Sequence, residues 1–119
     1  MSFIAPNPES YEGQVVGSGQ CVDFVKAASG APQTSLWKEG VKVKGAIILT
    51  GTAIATFIGG EYPSHAHGNH AAIYVSQNTD GLVVWDQWTG QPVHQRTIHF
   101  RAGAVDPSND GDAFSVIET

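Results

Sequence analysis

Small and apolar residues recur with helical spacing shortly after the N-terminal arm. Cys21, Val25 and Ala28 stand at positions i, i+4 and i+7, which is the spacing of one face of an α-helix. Ser18 precedes this face as a candidate N-cap, and Gly30 follows it as a helix-ending residue. The pattern therefore predicts a helix whose first turn contains Cys21.

Beyond this helix the pattern changes to short apolar or alternating runs, separated by glycine-containing turns. Such runs are typical of β-strands, and they lie at residues 46–50, 53–58, 70–76, 82–88, 93–100 and 114–117. Residues 1–13 are predicted to form an extended arm, and residues 35–39 a second short helix. Helical material followed by strands predicts an α+β fold with an antiparallel sheet, in a single domain over residues 1–119.

Residues 77–81, Gln-Asn-Thr-Asp-Gly, are the clearest hairpin turn in the chain. A five-residue loop places Ala72 opposite Asp86, whereas a register two residues shorter places His70 opposite Asp86. In both registers His70 and Asp86 lie on one face of the sheet, as diagonal or direct neighbours. We therefore expect the imidazole and the carboxylate to be within reach of each other.

Composition narrows the classes of function. The 119 residues are 41% hydrophobic and 14% charged, with 14 glycines, which is typical of a globular, turn-rich protein. Six Lys and Arg against eleven Asp and Glu leave a net charge of -5 without a basic cluster, so we expect no nucleic-acid partner. The N-terminus lacks the pattern of a signal peptide, and we expect no membrane span.

Cys21 is the only cysteine, so it has no partner for an internal disulfide, and its place at a helix start favours a reactive thiolate. His70 is the candidate general base and Asp86 the residue that orients it. The backbone amide of Cys21 is a candidate oxyanion donor. Gln87 points to the opposite face of its strand, so Asp86 is preferred as the third residue.

Three further residues are expected to contact substrate: Gln20 precedes the candidate nucleophile, and Tyr62 and His67 lie in the loops ahead of His70. His94 and His99 show no partner in the pattern and are assigned structural roles.

Two alternatives stay open at this point. His65, His67 and His70 have a spacing that could gather three imidazoles on zinc. The second alternative is a binding or inhibitory module without catalysis, in which Cys21 is buried as a small apolar residue and tryptophans bind a glycan.

The segment Gly-Ser-Gly-Gln-Cys-Val-Asp-Phe-Val around Cys21 is similar to the nucleophile motif of the CHAP group, the cysteine, histidine-dependent amidohydrolases. Gly-Asn-His-Ala-Ala-Ile-Tyr-Val around His70 resembles the base-bearing strand of that group and of its NlpC-type relatives. Asp86 fills the place of the third residue, and the order Cys, His, Asp agrees with papain-like enzymes. Asp23 departs from the pattern, which usually has an aromatic residue there.

The resemblance implies a papain-like fold in which the N-terminal helix carries the nucleophile against the sheet, and cysteine catalysis without a cofactor or metal. It implies hydrolysis of amide bonds in peptidoglycan peptide stems. The short chain and its Asp-Gln-Trp triplet look closest to small amidase effectors of type VI secretion. This in turn implies synthesis in the cytoplasm, delivery to the periplasm of a target cell and a cognate immunity protein that plugs the cleft.

Overall fold

The structure is a computed structural model that describes residues 2–119. In this part of the chain one α-helix, α1 (Cys21–Ser29), packs against an antiparallel sheet of six strands in the order β1-β6-β2-β3-β4-β5. The strands are β1 (Lys38–Lys42), β2 (Ala53–Thr56), β3 (Ala71–Gln77), β4 (Gly81–Trp88), β5 (Gln91–His99) and β6 (Phe114–Glu118). Short 3-10 turns lie at Pro8–Tyr11, Thr34–Leu36, Pro107–Asn109 and Gly111–Ala113. The predicted α+β class, with Cys21 on the helix, is confirmed.

The alternation of side chains along the central strands builds two apolar layers. In β3, Ala71 and Ile73 face the layer shared with α1, where Phe24 and Val25 are fully buried. Ala72 faces the opposite layer, with residues from four other strands and a loop: Val43, Ile54, Leu82, Val84, Ile98, Phe114 and Val116. Both faces of β3 are therefore covered, which fixes the strand that follows His70.

Helix α1 is capped differently at its two ends. Its N-cap is Gln20, which makes no side-chain capping bond, so the prediction of Ser18 as N-cap is wrong. Ser18 instead donates from its backbone N and its Oγ to Asp23 Oδ2, at 2.9 and 2.5 Å. Gly30 ends the helix in the left-handed region at φ 77°, and its N–H donates to the carbonyl oxygen of Lys26, as the glycine predicts.

The predicted strand at residues 46–50 is a loop in the structure. Gln77 bonds the turn that leads into this loop: Nε2 donates to the carbonyl oxygens of Val43 and Ala46, and Oε1 accepts from Gly45 N. Ile47 is fully exposed. Of the backbone groups of residues 46–50, the carbonyl oxygen of Ala46 is thus bonded by a side chain and not by a neighbouring strand.

The helix predicted at residues 35–39 is only a 3-10 turn over Thr34–Leu36, and its second half is wrong because β1 begins at Lys38. Lys38 pairs with Glu118 and Glu39 pairs with Ile117 across β1 and β6. Pairing with the far end of the chain overrides the local pattern.

The β3–β4 hairpin adopts the register expected from a five-residue loop at its far end, where Ile73 pairs with Trp85. A bulge between Tyr74 and Ser76 shifts the pairs nearest the turn, so Gln77 lies opposite Leu82. His70 and Asp86 are consequently diagonal neighbours. Within residues 2–119 no helix is long and apolar enough to cross a membrane.

Candidate active site

Cys21 is the first residue of α1 and is half-buried at the edge of a cleft. Its backbone N–H lies in the first turn, where it has no partner inside the helix. The preceding turn contains Gly17 and Gly19, at φ 58° and 92°, a region that favours glycine. The sequence thus folds so that the thiol lies at the positive end of the helix dipole, beside an available amide donor.

His70 lies immediately before β3, and its backbone is fixed on both sides by Thr56 of β2. His70 N donates to Thr56 Oγ1, and Thr56 N donates to the carbonyl oxygen of His70, both at 3.0 Å. Its ring Nε2 donates to Asp86 Oδ2 at 2.7 Å, which confirms the predicted contact. Because Nε2 is engaged, Nδ1 is the ring nitrogen left for Cys21.

The pKa values of the thiol and the imidazole move toward each other's range. Burial raises the pKa of Cys21, but a hydrogen bond and the charge of His70, helped by the Ala71 amide, outweigh burial and leave that pKa below its usual 9.0. Burial lowers the pKa of His70, but hydrogen bonds to Asp86 and Cys21 raise it to about 9 overall. This combination favours a thiolate–imidazolium pair at neutral pH.

Asp86 is fully buried and holds more than one positive partner. Its Oδ2 also accepts from Arg96 Nε at 2.8 Å. Burial raises the pKa of Asp86, but His70 and Arg96 together bring it below its usual range. His94 Nε2 lies 3.1 Å from Asp86 Oδ1, without the alignment of a hydrogen bond. The expectation that His94 has no partner is therefore wrong, whereas His99 lies exposed at the end of β5.

Two of the three predicted substrate contacts lie with Cys21 in one cleft of about 470 Å³. Gln20 and Tyr62 line it, whereas His67 lines an adjoining cleft of about 410 Å³. The Tyr62 hydroxyl is 3.9 Å from Cys21 Sγ and accepts a hydrogen bond from Asn69 Nδ2 at 3.1 Å. Burial and the nearby Cys21 charge raise the pKa of Tyr62, so this hydroxyl stays protonated.

The three imidazoles of the zinc alternative are not gathered. His70 points its Nε2 at Asp86, His65 lines the first cleft and His67 the second. In the range 2–119 no three His, Cys, Asp or Glu side chains are grouped so that they could hold a metal ion. This arrangement does not support a site built on these three histidines.

The contacts of three residues near the site are not predicted from the sequence. Gln87 is fully buried and bonds the turn before Cys21, Arg96 bonds Asp86, and Asn69 links Tyr62 to the backbone N of His65. Gln87 follows Trp85 on the face of β4 that α1 covers, but nothing in the local pattern marks its bond to the turn before Cys21. Arg96 carries no local signal, because its contact depends on the β4–β5 register, in which Val84 pairs with Arg96.

Comparison with known proteins finds similar sequences over nearly the whole chain. Residues 1–117 match the family described as "Dae2: Domesticated amidase effector 2". The chain is 33% identical to the "Type VI secretion amidase effector 2 protein" of Salmonella typhi, over 99% of this chain and 100% of the relative. It is 36% identical to "Domesticated amidase effector 2" of Ixodes scapularis, over 94% and 82% of the two chains.

A solved structure gives the same picture. The fold matches that of "Type 6 secretion amidase effector 2 (Tae2)" with a TM-score of 0.84 and 33% sequence identity, over 98% of this chain and 94% of that chain. The similarity thus extends through sequence and fold over nearly the full length of both proteins.

Proposed function

Since the chain belongs to the Dae2 family of domesticated amidase effectors, we propose that it is a papain-like cysteine amidase that hydrolyses amide bonds in peptidoglycan peptide stems. The observation that carries the proposal is the group formed by Cys21, His70 and Asp86. A thiol at a helix start lies beside an imidazole, and a buried carboxylate holds the far nitrogen of that imidazole at 2.7 Å. These are the parts of an activated nucleophile.

In the proposed reaction the Cys21 thiolate attacks the amide carbonyl carbon, forming a C–S bond and a tetrahedral oxyanion. The His70 imidazolium donates its Nδ1 proton to the amide nitrogen, the C–N bond breaks, and the amine leaves. Neutral His70 then removes a proton from water, which attacks the thioester. The C–S bond breaks to release the carboxylic acid and restore the thiolate–imidazolium pair. Asp86 keeps Nδ1 directed at Cys21 throughout.

Two donors are available for the oxyanion. The Cys21 backbone amide lies at the start of α1 and is the first. The Tyr62 hydroxyl is the second, since it stays protonated and lies 3.9 Å from Cys21 Sγ on the same cleft. Cys21, His70, Asp86 and Tyr62 supply every protein group that these steps use, so the proposal invokes no cofactor.

Delivery and partners form the wider part of the proposal. The names of the Salmonella relative and of the solved structure refer to type VI secretion, which supports an antibacterial effector made in the cytoplasm and delivered to a target periplasm. The proposed domain spans residues 1–119 and is of the CHAP/NlpC type. A cognate immunity protein in the producing cell would block the cleft that contains Cys21.

The test uses the full chain, purified, with Cys21→Ala and His70→Ala as variants. Each protein is incubated with peptidoglycan, and released fragments are identified by mass spectrometry. We expect both variants to lose cleavage by at least about 10³-fold. His99→Ala is the matched control, because His99 is an exposed histidine outside both clefts, and it should cleave as the wild type does.

Cleavage by Cys21→Ala at the wild-type rate would overturn the proposed nucleophile. A wild-type protein that binds peptidoglycan but releases no fragment would instead support the module without catalysis. Circular dichroism of each variant shows whether a loss of cleavage accompanies unfolding.

A further inference from the structure

The second cleft adjoins the first along four residues that line both clefts, Ala66, Asn69, His70 and Trp88. Cys21 lines the first cleft only, whereas Arg96 and Asp106 line the second and not the first. A substrate that lies over the proposed nucleophile therefore has a continuous path past His70 into a region with its own charged groups.

The Arg96 side chain is held by two contacts, and its terminal amino groups remain available as hydrogen-bond donors. Its Nε is used by Asp86 Oδ2 at 2.8 Å, and the guanidinium carbon lies 4.9 Å from the centre of the Trp88 ring. Its two terminal amino groups have no bonding partner among residues 2–119. The side chain is 21% exposed. A planar guanidinium fixed in this way is suited to bind a carboxylate.

Asp106 shares the second cleft but forms no ion pair with Arg96 in the described chain. Its Oδ1 accepts from the backbone N and the Oγ of Ser108, at 2.9 and 2.7 Å. The carboxylate is thus held by its own turn and does not occupy the terminal amino groups of Arg96, whose Nε already pairs with Asp86. Its negative charge also disfavours a second acidic group on that wall of the cleft.

The side of the substrate that enters the second cleft follows from proton transfer. In the proposed function, on which this inference rests, His70 protonates the nitrogen of the leaving amine. The leaving fragment therefore lies next to His70, a residue that lines both clefts, and the second cleft offers it room beyond His70. The acyl fragment stays with Cys21, Gln20 and Tyr62 in the first cleft.

We infer that the second cleft binds the leaving-amine side of the substrate, and that Arg96 binds a free carboxylate on the residue that supplies this amine. The chemical class selected is an amide whose nitrogen comes from an amino acid with an ionised carboxyl group. The corresponding carboxamide would leave the terminal amino groups of Arg96 without a charged partner.

The test compares two synthetic stem peptides that differ only in this group, a free carboxylate or a carboxamide on the amine-supplying residue. Wild-type protein should show a kcat/KM about 10- to 100-fold higher for the carboxylate, the range expected of a hydrogen-bonded charge pair. Arg96→Gln should reduce this ratio to near one. The readout is the ratio, because Arg96 also contacts Asp86 and its loss changes the absolute rate on both peptides.

Arg101→Gln is the matched control, because Arg101 is an exposed arginine that lines neither of the two clefts. It should keep the wild-type ratio. Equal kcat/KM values of the wild type for the two peptides would overturn the inference, as would a preference that survives in Arg96→Gln. A wild-type protein inert on both peptides and on whole peptidoglycan contradicts the proposed function instead.

Binding gives a second measurement that does not depend on turnover or on the folding of the Arg96 variant. Cys21→Ala protein is titrated with the two amine fragments by calorimetry. It should bind the carboxylate fragment about 10-fold or more tightly than the carboxamide. Equal affinities, or a preference for the carboxamide, would count against the inference.

Discussion

Gln87 Nε2 donates a hydrogen bond of 2.8 Å to the backbone carbonyl oxygen of Gln20, the residue immediately before Cys21. The same amide exchanges two bonds of 2.9 Å with the backbone of Val16, and the side chain is fully buried. Gln87 follows Asp86 in β4 and points to the other face. Strand β4 thus holds both parts of the site. Gln87 fixes the turn before Cys21, and Asp86 fixes the ring of His70.

Replacing Gln87 by Met should destabilise the protein and slow turnover. The substitution keeps most of the volume but leaves the backbone groups of Val16 and Gln20 without their partner. We expect the free energy of unfolding to fall by about 2–4 kcal/mol, measured by urea denaturation. Gln95→Met is the control, since Gln95 is exposed in β5, and it should change stability by less than about 0.5 kcal/mol. Equal effects of the two substitutions would contradict an anchoring role.

Gly17→Ala should destabilise more than Gly13→Ala. Both glycines have positive φ, 58° and 81°, and alanine in this region costs about 1–2 kcal/mol. At Gly13 a Cβ meets open space, whereas at Gly17 it would lie 2.9 Å from Asp23 Cβ and 2.8 Å from Asp23 Oδ2. Asp23 would have to leave Ser18, with a further loss of about 1 kcal/mol or more. Thermal unfolding of the two variants compares them, and equal losses would show that the contact with Asp23 contributes nothing.

Contacts between residues close in the chain are predictable from the sequence, whereas contacts between distant residues are not. The helical spacing of Cys21, Val25 and Ala28 predicts α1 because the period is local. The contact of His70 with Asp86 is predictable because a short hairpin links them and both candidate registers keep them on one face. Gln87 bonds Val16 across 71 positions of the chain, and no local pattern encodes such a contact.

The errors in the predicted strands have the same origin. Residues 46–50 are apolar enough for a strand, but a strand also needs a partner for its backbone, and no strand of the described sheet pairs with this run. β1 forms where a helix is predicted, because the C-terminal β6 supplies its partner. Both outcomes depend on whether a distant segment of the chain pairs with the run. Such pairing determines strand formation more than local propensity does.

Asp86→Asn should weaken the activation of Cys21 while keeping the shape of the side chain. Hydrogen bonding and charge from Asp86 raise the pKa of His70, so His70 should titrate lower in the variant and stabilise the thiolate less. The Cys21 pKa then rises toward 9.0. We expect the pH at which iodoacetamide begins to alkylate Cys21 to increase, and kcat to fall by about 10²- to 10⁴-fold. An unchanged alkylation profile would exclude this electrostatic link.

The pH dependence of the wild type follows from the same two groups. The pKa of Cys21 lies below 9.0 and that of His70 is raised to about 9. With rising pH, kcat/KM should increase as the Cys21 thiol loses its proton, and it should decrease near pH 9 as the His70 imidazolium loses the proton needed by the leaving amine. A rate measured from pH 5 to 10 on one peptide tests this. Activity that still rises between pH 9 and 10 would contradict a protonated His70 in the reactive form.

Tyr62→Phe tests the proposed second oxyanion donor. The substitution removes the hydroxyl that lies 3.9 Å from Cys21 Sγ but retains the ring, which packs edge-on against Trp37 at 5.0 Å between centroids. Stabilisation of an oxyanion is lost in the transition state only, so kcat should fall by about 10- to 10³-fold with KM within a few-fold of the wild type.

The control for this change is Asn69→Ala. Asn69 Nδ2 donates a hydrogen bond to the Tyr62 hydroxyl, and this substitution removes that bond but keeps the hydroxyl. If Tyr62 acts only by holding the loop through Asn69, the two variants should show equal losses of kcat. A donor role predicts a larger loss for Tyr62→Phe, since the hydroxyl remains beside Cys21 when only its neighbour is removed. A rise in KM at unchanged kcat in Tyr62→Phe would assign the hydroxyl to substrate binding in place of transition-state stabilisation.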